Sequence, residues 1–322
     1  MLELEHISVR FAAGHSVQAV EDISLTVPDG SRIAIVGETG SGKSVLLLAV
    51  LRLLPENAVV SGSAKLDGEE IFEMSPKRLN AIRGGVISYV PQGGGGSLNP
   101  LYSIGFQVGE PLMEHRGYKR KQAFAASIPL LKRFHIGDEE RRAREYPHTF
   151  SGGMRQRAMI AMGISANARI LFLDEPTKGL DGKRIRMVEE ALELLKEETI
   201  LCVTHDLHFA VRACRFVCVM YAAQQVEYGS AKEIWEHPLH PYTQAMLDAL
   251  PENGMNYQAG FAPEHDAEQE EQGCRYRHRC LYRETRCDRM PPLFKVGERK
   301  VRCFRYAAEG GEADQNLSEK GA

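Results

Sequence analysis

A segment near the amino terminus reads Ile33-Ala34-Ile35-Val36-Gly37-Glu38-Thr39-Gly40-Ser41-Gly42-Lys43-Ser44. Its apolar start is typical of a strand that is buried on both faces of a sheet. Residues 37–44 match the pattern G-x-x-x-x-G-K-[ST] at every fixed position, and a helical stretch, Lys43 to Leu54, follows. Strand, glycine-rich turn and helix in this order predict an α/β fold with a phosphate-binding loop, called here the phosphate loop (residues 37–44).

The composition of this loop suits it to phosphate. Glycines let the backbone curl so that its N–H groups point at phosphate oxygens, and the start of the following helix adds a partial positive charge. Lys43 should bridge the β- and γ-phosphates of ATP, and Ser44 should offer its hydroxyl oxygen to Mg²⁺. A surface Gly/Ser turn is the alternative, but the strand–loop–helix context favours the nucleotide site independently of the motif.

The rest of the chain extends the α/β prediction. Two more apolar strands, 170–173 and 200–203, alternate with helical segments such as the amphipathic stretch Lys183 to Glu197. Buried strands that alternate with helices predict a parallel, helix-covered sheet. Residues 2–11 and 23–27 alternate apolar and polar side chains, as edge strands do, and residues 100 to about 165 are interpreted as a helical subdomain.

Composition excludes several classes of protein. The 322 residues are 43% hydrophobic and 26% charged with a formal net charge of −3, so no overall attraction to nucleic acid is expected. No apolar run approaches the roughly 18 residues of a spanning helix, and the amino terminus lacks a signal-peptide layout. We therefore expect a cytosolic chain that reaches a membrane only by docking onto another protein.

An acidic pair follows the strand at 170–173. A carboxylate at the end of a buried strand can reach the Mg²⁺ of a neighbouring phosphate loop, which is the role expected of Asp174. Glu175 would then polarise an attacking water as a general base. An acidic pair after a strand can also be only the start of a loop, but behind a phosphate loop the functional interpretation is favoured.

The segment Phe150-Ser151-Gly152-Gly153-Met154-Arg155-Gln156-Arg157 is the point at which a family can be named. It resembles the signature motif of ATP-binding cassette (ABC) proteins. In that family Ser151, Gly152 and Gly153 would contact the γ-phosphate that the other subunit's phosphate loop holds. Taken alone, a Ser-Gly-Gly helix start is also an ordinary N-cap.

Further landmarks of the family follow in the expected order. Gln92 resembles the glutamine that senses Mg²⁺ and the attacking water, and Gly179-Leu180-Asp181 resembles the loop through which paired cassettes touch. His205 matches the histidine that contacts the γ-phosphate and supports Glu175. Phe11 occupies the position of the aromatic residue that stacks on adenine, although an aromatic residue at the end of an edge strand can equally be simple packing.

The resemblance implies a fold class and a domain order. The expected fold is an α/β P-loop NTPase of the ABC cassette type, with a parallel core sheet, an antiparallel β subdomain and a helical subdomain, over residues 1–250. A linker is expected over 251–272, a small metal-bound cysteine module over 273–308 (the cysteine segment) and a disordered tail over 309–322. The sequences Ser97-Leu98-Asn99-Pro100 and His237-Pro238-Leu239-His240-Pro241-Tyr242-Thr243 resemble importers of dipeptides, oligopeptides and nickel.

That resemblance also implies partners and a location. A second ABC ATPase subunit is expected, as a heterodimer rather than a homodimer, together with two transmembrane permease subunits and an extracytoplasmic solute-binding protein. The chain would then sit on the cytoplasmic face of the membrane as a peripheral subunit. The cargo stays open between peptides, nickel and metal chelates.

The sequence departs from its relatives at two places. Gly93 to Gly96 replace a bulkier stretch and predict an unusually pliable loop. Thr177-Lys178-Gly179 stands where Thr-Thr-Ala is commoner, and the sequence gives Lys178 no role.

Cys274, Cys280, Cys287 and Cys303 crowd one end of a cysteine-poor chain, separated by five, six and fifteen residues. They could be unrelated, but a four-thiolate metal site is the natural interpretation, and the spacing does not choose the metal. The segment resembles the C-terminal extension of peptide-importer ATPases, in which such cysteines hold a [4Fe–4S] cluster; Zn²⁺ is the alternative. The role expected is structural, since so short a segment has too little core to fold unaided.

The cysteine segment is also basic. A nucleic-acid-binding finger could have this composition, and the rival hypothesis is an ABC protein that acts on ribosomes or DNA. The single phosphate loop and single signature of this chain argue against it, because the iron–sulfur ABC factors of translation carry two cassettes in one polypeptide. Its basic residues include Arg275, Arg277, His278, Arg279, Arg283, Arg286 and Arg289.

Overall fold

A computed structural model describes residues 1–13, 15–93, 96–195, 198–256, 258 and 273–307. The predicted tail, 309–322, lies outside these residues, as do most of the predicted linker and the middle two glycines of the run at 93–96. In the described residues no helix is both long and apolar enough to cross a membrane.

Strands and helices alternate along most of the chain. The strands are β1 (Leu2–Ala13), β2 (His15–Val27), β3 (Arg32–Val36), β4 (Ala58–Leu66), β5 (Glu69–Glu70), β6 (Ile87–Val90), β7 (Ile170–Asp174), β8 (Thr199–Thr204), β9 (Phe216–Tyr221), β10 (Gln224–Ser230), β11 (Phe294–Val296) and β12 (Arg299–Val301). The helices are α1 (Lys43–Val50), α2 (Pro76–Ile82), α3 (Ile104–Arg116), α4 (Arg120–Arg133), α5 (Glu139–Arg144), α6 (Gly152–Ser165), α7 (Gly182–Glu193), α8 (Leu207–Ala213), α9 (Ala231–Glu236) and α10 (Pro241–Asp248).

The chain divides into two compact units. The first comprises residues 1–2, 27–33 and 67–213, and the second comprises the described parts of 3–26, 34–66 and 214–322. In the first unit β6, β7 and β8 pair in parallel, with Leu171 opposite Ser88 on one side and Ile200 on the other. Every residue of β7 and β8 is buried, which confirms the parallel, doubly covered strands predicted from their apolar runs.

The first unit also contains the predicted helical region. Helix α3 packs against α4, α5 and α6. Helix α7 buries Val188 and Leu192 on one face, as its periodicity predicts, but it ends at Glu193, earlier than the predicted Glu197.

In the second unit the strand order includes β4-β1-β2-β10-β9, and β10 pairs antiparallel with β9 and parallel with β2. The hairpin of β11 and β12 turns at Gly297, and β12 adds to β10, with Val301 opposite Glu227. Helix α1 ends at Val50 rather than at the predicted Leu54. Arg52 adopts a left-handed backbone conformation (φ 52°), which ends the helix. Leu54 precedes Pro55, and the proline ring disfavours the helical conformation of the residue before it.

Candidate functional site

The phosphate loop joins β3 to α1, as predicted. Gly42 has φ 93°, and a Cβ there would lie 2.0 Å from the carbonyl oxygen of Ala19. A Cβ on Gly37 would lie 2.1 Å from the carbonyl oxygen of Met220. Neighbouring backbone therefore leaves room only for glycine at both positions, and the loop keeps its curled path.

Lys43 is buried at the centre of this loop. Its Nζ donates to the carbonyl oxygens of Gly37 and Glu38, each at 2.8 Å, and lies 3.4 Å from Ser41 Oγ. The ammonium group is thus fixed inside the loop by the loop's own backbone. Ser44 follows in the first turn of α1, where a hydroxyl can serve an ion bound to phosphate.

Glu38 is held by two residues that the sequence did not suggest. Its backbone N–H donates to Tyr242 Oη at 3.0 Å. Its carboxylate accepts from Arg279 Nη1, at 3.0 Å to Oε1 and 3.2 Å to Oε2. Tyr242 lies in α10 and Arg279 in the cysteine segment, each more than 200 residues after Glu38, so no local sequence pattern indicates these contacts.

The acidic pair ends β7 in the first unit. Asp174 is 2% exposed, and its Oδ2 accepts from Tyr89 Oη at 3.0 Å. Burial, together with the adjacent Asp174 charge, raises the pKa of Tyr89, so its hydroxyl stays a proton donor to that carboxylate. Tyr89 was missed from the sequence, where it is only one residue of a short apolar strand.

Glu175 is held in an uncommon backbone conformation. Its φ is 49°, in the left-handed region, and its N–H donates to the carbonyl oxygen of Val203 at 2.8 Å. Its Oε2 lies 2.6 Å from His205 Nδ1, so the structure brings together the predicted base and its supporting histidine. The Glu175 side chain is 9% exposed and that of His205 is 52% exposed, so solvent reaches the pair mainly at the imidazole. Backbone strain of this kind is concentrated at functional sites.

The signature residues begin helix α6. Ser151 Oγ accepts from the N–H of Met154 at 3.3 Å, and Ser151 and Gly152 are exposed. A Cβ on Gly153 would lie 2.8 Å from the side chain of Arg184. Arg184 also contacts Asp181 in two ways. The Asp181 carboxylate caps α7 by accepting from the Arg184 N–H at 2.9 Å, and it forms an ion pair with the Arg184 guanidinium at 3.3 Å.

The other landmark residues occupy ordinary positions. Phe11 is half-buried in β1, and Gln92 is exposed just after β6. The His-Pro stretch begins α10 with Pro241 in the first turn, and His240 Nδ1 accepts from the Tyr242 N–H at 3.0 Å.

The four cysteines of the cysteine segment line one pocket in the second unit, together with His240 and Tyr276. All four are free thiols. Burial, aided by the neighbouring cysteines, raises the pKa of Cys274 to about 11. In the part of the chain that the structure describes, no group of three or more His, Cys, Asp or Glu side chains is arranged to hold a metal ion.

Several arginines of the cysteine segment pair with acidic or carbonyl groups. Arg275 is 8% exposed, pairs with Glu21 and donates to the carbonyl oxygen of Ala222 at 2.8 Å. On the segment's surface two more arginines have acidic partners: Arg283 pairs with Asp288 at 3.0 Å, and Arg286 pairs with Glu284 at 2.7 Å.

Comparison with known proteins agrees with this geometry. Residues 20–178 match the family "ABC transporter", and residues 226–287 match "Oligopeptide/dipeptide transporter, C-terminal region". The chain is 37% identical to the oligopeptide transport ATP-binding protein OppD of Haemophilus influenzae, over 96% of this chain and 98% of that protein. It is 36% identical to OppD of Salmonella typhimurium, over 96% and 95%.

A solved structure is also similar. The ATP-binding cassette MJ0796, a dimer in a post-hydrolysis state bound to ADP and Pi, superposes with a TM-score of 0.65 at 25% identity, over 72% of this chain and 99% of that one. The chain therefore belongs to the ABC transporter family of ATP-binding subunits. The P-loop ABC cassette fold expected from its motifs is confirmed.

Proposed function

We propose that this chain binds and hydrolyses ATP to drive an ABC importer of dipeptides or oligopeptides. The observation that carries the proposal is the pair of Glu175 and His205 beside the buried Asp174, in a chain that resembles oligopeptide transport proteins over 96% of its length. The chain would act as a peripheral subunit on the cytoplasmic face of the cell membrane. Its partners would be two transmembrane permease subunits and an extracytoplasmic solute-binding protein.

In the proposed reaction the phosphate loop binds the triphosphate. The Lys43 ammonium exchanges its contacts with the loop carbonyls for the β- and γ-phosphates, and the loop N–H groups face the same oxygens. Ser44 and Asp174 would be ligands of Mg²⁺, which spreads the negative charge of the phosphates, and Gln92 would sense the ion. Phe11 would stack on adenine.

Glu175 would activate the attacking water. With His205 fixing one carboxylate oxygen, the other is left to accept a proton from water as it attacks the γ-phosphate. Tyr89 keeps Asp174 in place by hydrogen bonding. Catalysis in this reaction is mainly positioning and electrostatic stabilisation, so rigid placement of these groups is the protein's contribution.

A second cassette would complete the site. Ser151, Gly152 and Gly153 would offer their backbone N–H groups to the γ-phosphate on the partner cassette, and Asp181 would line the seam between the two. Closing and reopening of the pair would move the transmembrane subunits. A heterodimer is proposed, with a second ATPase chain as the partner.

We also propose a division of the chain by function. Residues 1–250 would bind ATP, residues 251–272 would be a linker, and residues 273–308 would form a separate functional module.

Replacement of the proposed base tests this function. In the assembled transporter, Glu175→Gln should abolish steady-state ATP hydrolysis, by two orders of magnitude or more, and leave ATP binding intact. Glu193→Gln, an exposed carboxylate at the end of α7, is the matched control and should hydrolyse ATP normally. Hydrolysis by Glu175→Gln at the control rate would remove Glu175 from the catalytic role.

Transport assays separate the possible cargoes. Cells that lack this chain should lose uptake of a labelled tripeptide and keep uptake of labelled nickel. Loss of nickel or metal-chelate uptake with intact peptide uptake would assign the alternative cargo.

The nucleic-acid hypothesis is disfavoured by the arginine pairs. Phosphate-binding arginines must be free to meet the backbone of DNA or RNA, whereas Arg275, Arg279, Arg283 and Arg286 each have an acidic partner within the chain. Copurification with two membrane proteins is expected. A salt-dependent shift of RNA by the purified chain would favour the alternative.

We further propose that the cysteine segment holds a [4Fe–4S] cluster as a structural cross-link. The chemistry of the donor set supports this, since Cys274, Cys280, Cys287 and Cys303 are free and line one pocket. The spacing of the cysteines does not choose the metal, and Zn²⁺ is the alternative. When bound, the cluster would supply cross-links rather than a reaction step.

Spectroscopy and metal analysis test this assignment. Anaerobically purified protein should show a broad iron–sulfur absorption and about four irons per chain. Cys287→Ser should lower the iron content, while Cys214→Ala, a buried cysteine outside the cysteine segment, should leave it unchanged. One zinc and no iron would establish the alternative metal.

A further inference from the structure

We propose that Arg279 is a positioning residue for ATP binding, which acts by neutralising and holding Glu38 in the phosphate loop. The cysteine segment would thereby set the affinity of the nucleotide site. This inference rests on the proposed ATP-binding function of the loop and extends it to a residue outside every ATP-binding motif of the chain.

The ion pair of Arg279 and Glu38 is the first observation. Nη1 of Arg279 lies 3.0 Å and 3.2 Å from the two carboxylate oxygens, so it contacts both. The Arg279 side chain is only 12% exposed and that of Glu38 is 38% exposed. A mostly buried guanidinium is screened less by solvent than a surface charge, so the pair is more than a casual surface contact.

Two tyrosine rings hold the Arg279 guanidinium in place. Its carbon lies 5.8 Å from the ring centre of Tyr221 and 5.7 Å from that of Tyr276. The two rings meet edge to face at 5.2 Å. Cation–π attraction and this packing restrict the arginine to the orientation that faces Glu38.

Tyr242 fixes the backbone of the same loop residue. Its hydroxyl accepts the Glu38 N–H, and its ring packs against Tyr221 at 4.5 Å and Tyr276 at 5.6 Å. The Glu38 carbonyl oxygen in turn accepts from Lys43 Nζ. One residue of the loop thus connects the tyrosine cluster, Arg279 and the lysine that would bind phosphate.

The effect of Arg279 on ATP follows from charge. Glu38 places a carboxylate in a loop that would bind the polyphosphate, and like charges repel. Arg279 offsets this charge and keeps the carboxylate turned towards itself. Without the arginine, ATP binding would meet one uncompensated negative charge, which costs roughly 3- to 10-fold in affinity at partly exposed positions.

Equilibrium titration of the full chain with a fluorescent ATP analogue tests the inference. Arg279→Ala should weaken binding roughly 3- to 10-fold, less at high salt, and Arg279→Lys should stay within about 2-fold of the wild type. Glu38→Gln should tighten binding, and the double variant Arg279→Ala with Glu38→Gln should recover most of the lost affinity. Arg283→Ala, which breaks an exposed pair in the same segment, is the matched control and should have no effect.

The outcomes separate this inference from the proposed function. If the double variant binds as weakly as Arg279→Ala, Arg279 serves only the fold and the inference is wrong. If Lys43→Met binds ATP like the wild type, the proposed function itself fails. If Arg279→Ala has no thermal unfolding transition, and so does not fold, the other two single variants decide. Unchanged ATP affinity in Glu38→Gln would contradict the charge mechanism, and so would a loss of affinity above about 3-fold in Arg279→Lys.

Discussion

The phosphate loop and the cysteine segment are both irregular, yet they are held in place differently. The Lys43 ammonium of the phosphate loop is fixed by contacts within the loop, its bonds to the carbonyls of Gly37 and Glu38, and Glu38 is also held from a distance, by Tyr242 and Arg279. The cysteine segment is fixed by contacts with distant residues. Arg302 donates to the carbonyl oxygen of Gln225 at 3.0 Å, and Arg299 pairs with Glu227 at 2.5 Å.

This difference explains why the two regions respond differently to substitution. The contacts of Lys43 with these carbonyls span only a few residues, so replacing this lysine should alter function with little effect on global stability. A segment anchored through β12 and buried arginines depends on the strand that it joins. Changes in that strand should destabilise the segment even when no cysteine is touched.

The largest effect is expected from Glu227, the buried anchor in β10. Glu227 is 0% exposed and accepts from the N–H groups of Leu239 and His240, each at 2.9 Å, as well as from Arg299. Glu227→Ala leaves a buried guanidinium unpaired, so the free energy of unfolding should fall by about 3–5 kcal/mol, as urea denaturation would measure.

An exposed pair provides the control for Glu227. Glu236→Ala breaks a pair with Lys232 and should cost less than about 0.5 kcal/mol. Glu227→Leu combined with Arg299→Met should be less destabilised than Glu227→Ala, because no charge is stranded. A loss below about 1 kcal/mol in Glu227→Ala would mean that the segment does not depend on this anchor.

The next largest effect concerns the phosphate loop itself. Lys43→Met removes the ammonium and should weaken ATP binding on the order of 100-fold, since charge-assisted hydrogen bonds to phosphate are lost. Its melting temperature should change little, in contrast to Glu227→Ala. Lys65→Met, at a surface pair with Glu5, is the control. A variant that binds ATP normally but melts early would reverse the comparison.

The sequence predicted the elements whose signals are local. The apolar strands at 170–173 and 200–203 became β7 and β8 because a doubly buried strand is apolar throughout. The phosphate loop was predicted because its fixed residues lie within eight positions. The hairpin of β11 and β12 was not predicted, since each strand has only three residues and forms by pairing with β10.

The site residues that the sequence missed act through long-range contacts. Tyr89 bonds Asp174, 85 residues away, and Arg279 bonds Glu38, 241 residues away. Tyrosine and arginine are common surface and core residues, so neither type alone indicates a partner. Only the fold brings such pairs together, whereas Glu175 could be predicted from its place after an apolar strand behind the phosphate loop, and His205 from the resemblance to ABC proteins.

The smallest predicted effect is a pH dependence of the free energy of unfolding. It arises from His240, which accepts from the Tyr242 N–H and lines the pocket of the four cysteines. Burial, with a smaller contribution from the charge of Arg302, lowers the pKa of His240 to about 3, whereas an exposed histidine has a pKa near 6.5. Below about pH 6.5 the unfolded chain therefore binds a proton that the folded chain does not. The free energy of unfolding should fall by about 1.5 kcal/mol on this account between about pH 6.5 and pH 5.

His240→Asn isolates this contribution. The asparagine oxygen can accept the Tyr242 N–H in place of Nδ1, while the side chain no longer titrates. Carboxylates and the other histidines titrate alike in both proteins, so the difference between their urea midpoints at about pH 6.5 and pH 5 reports His240 alone. The variant should lose about 1.5 kcal/mol less than the wild type over this interval. Equal losses would show that His240 takes up a proton in the folded protein, which is incompatible with its burial between α10 and the pocket of the cysteine segment.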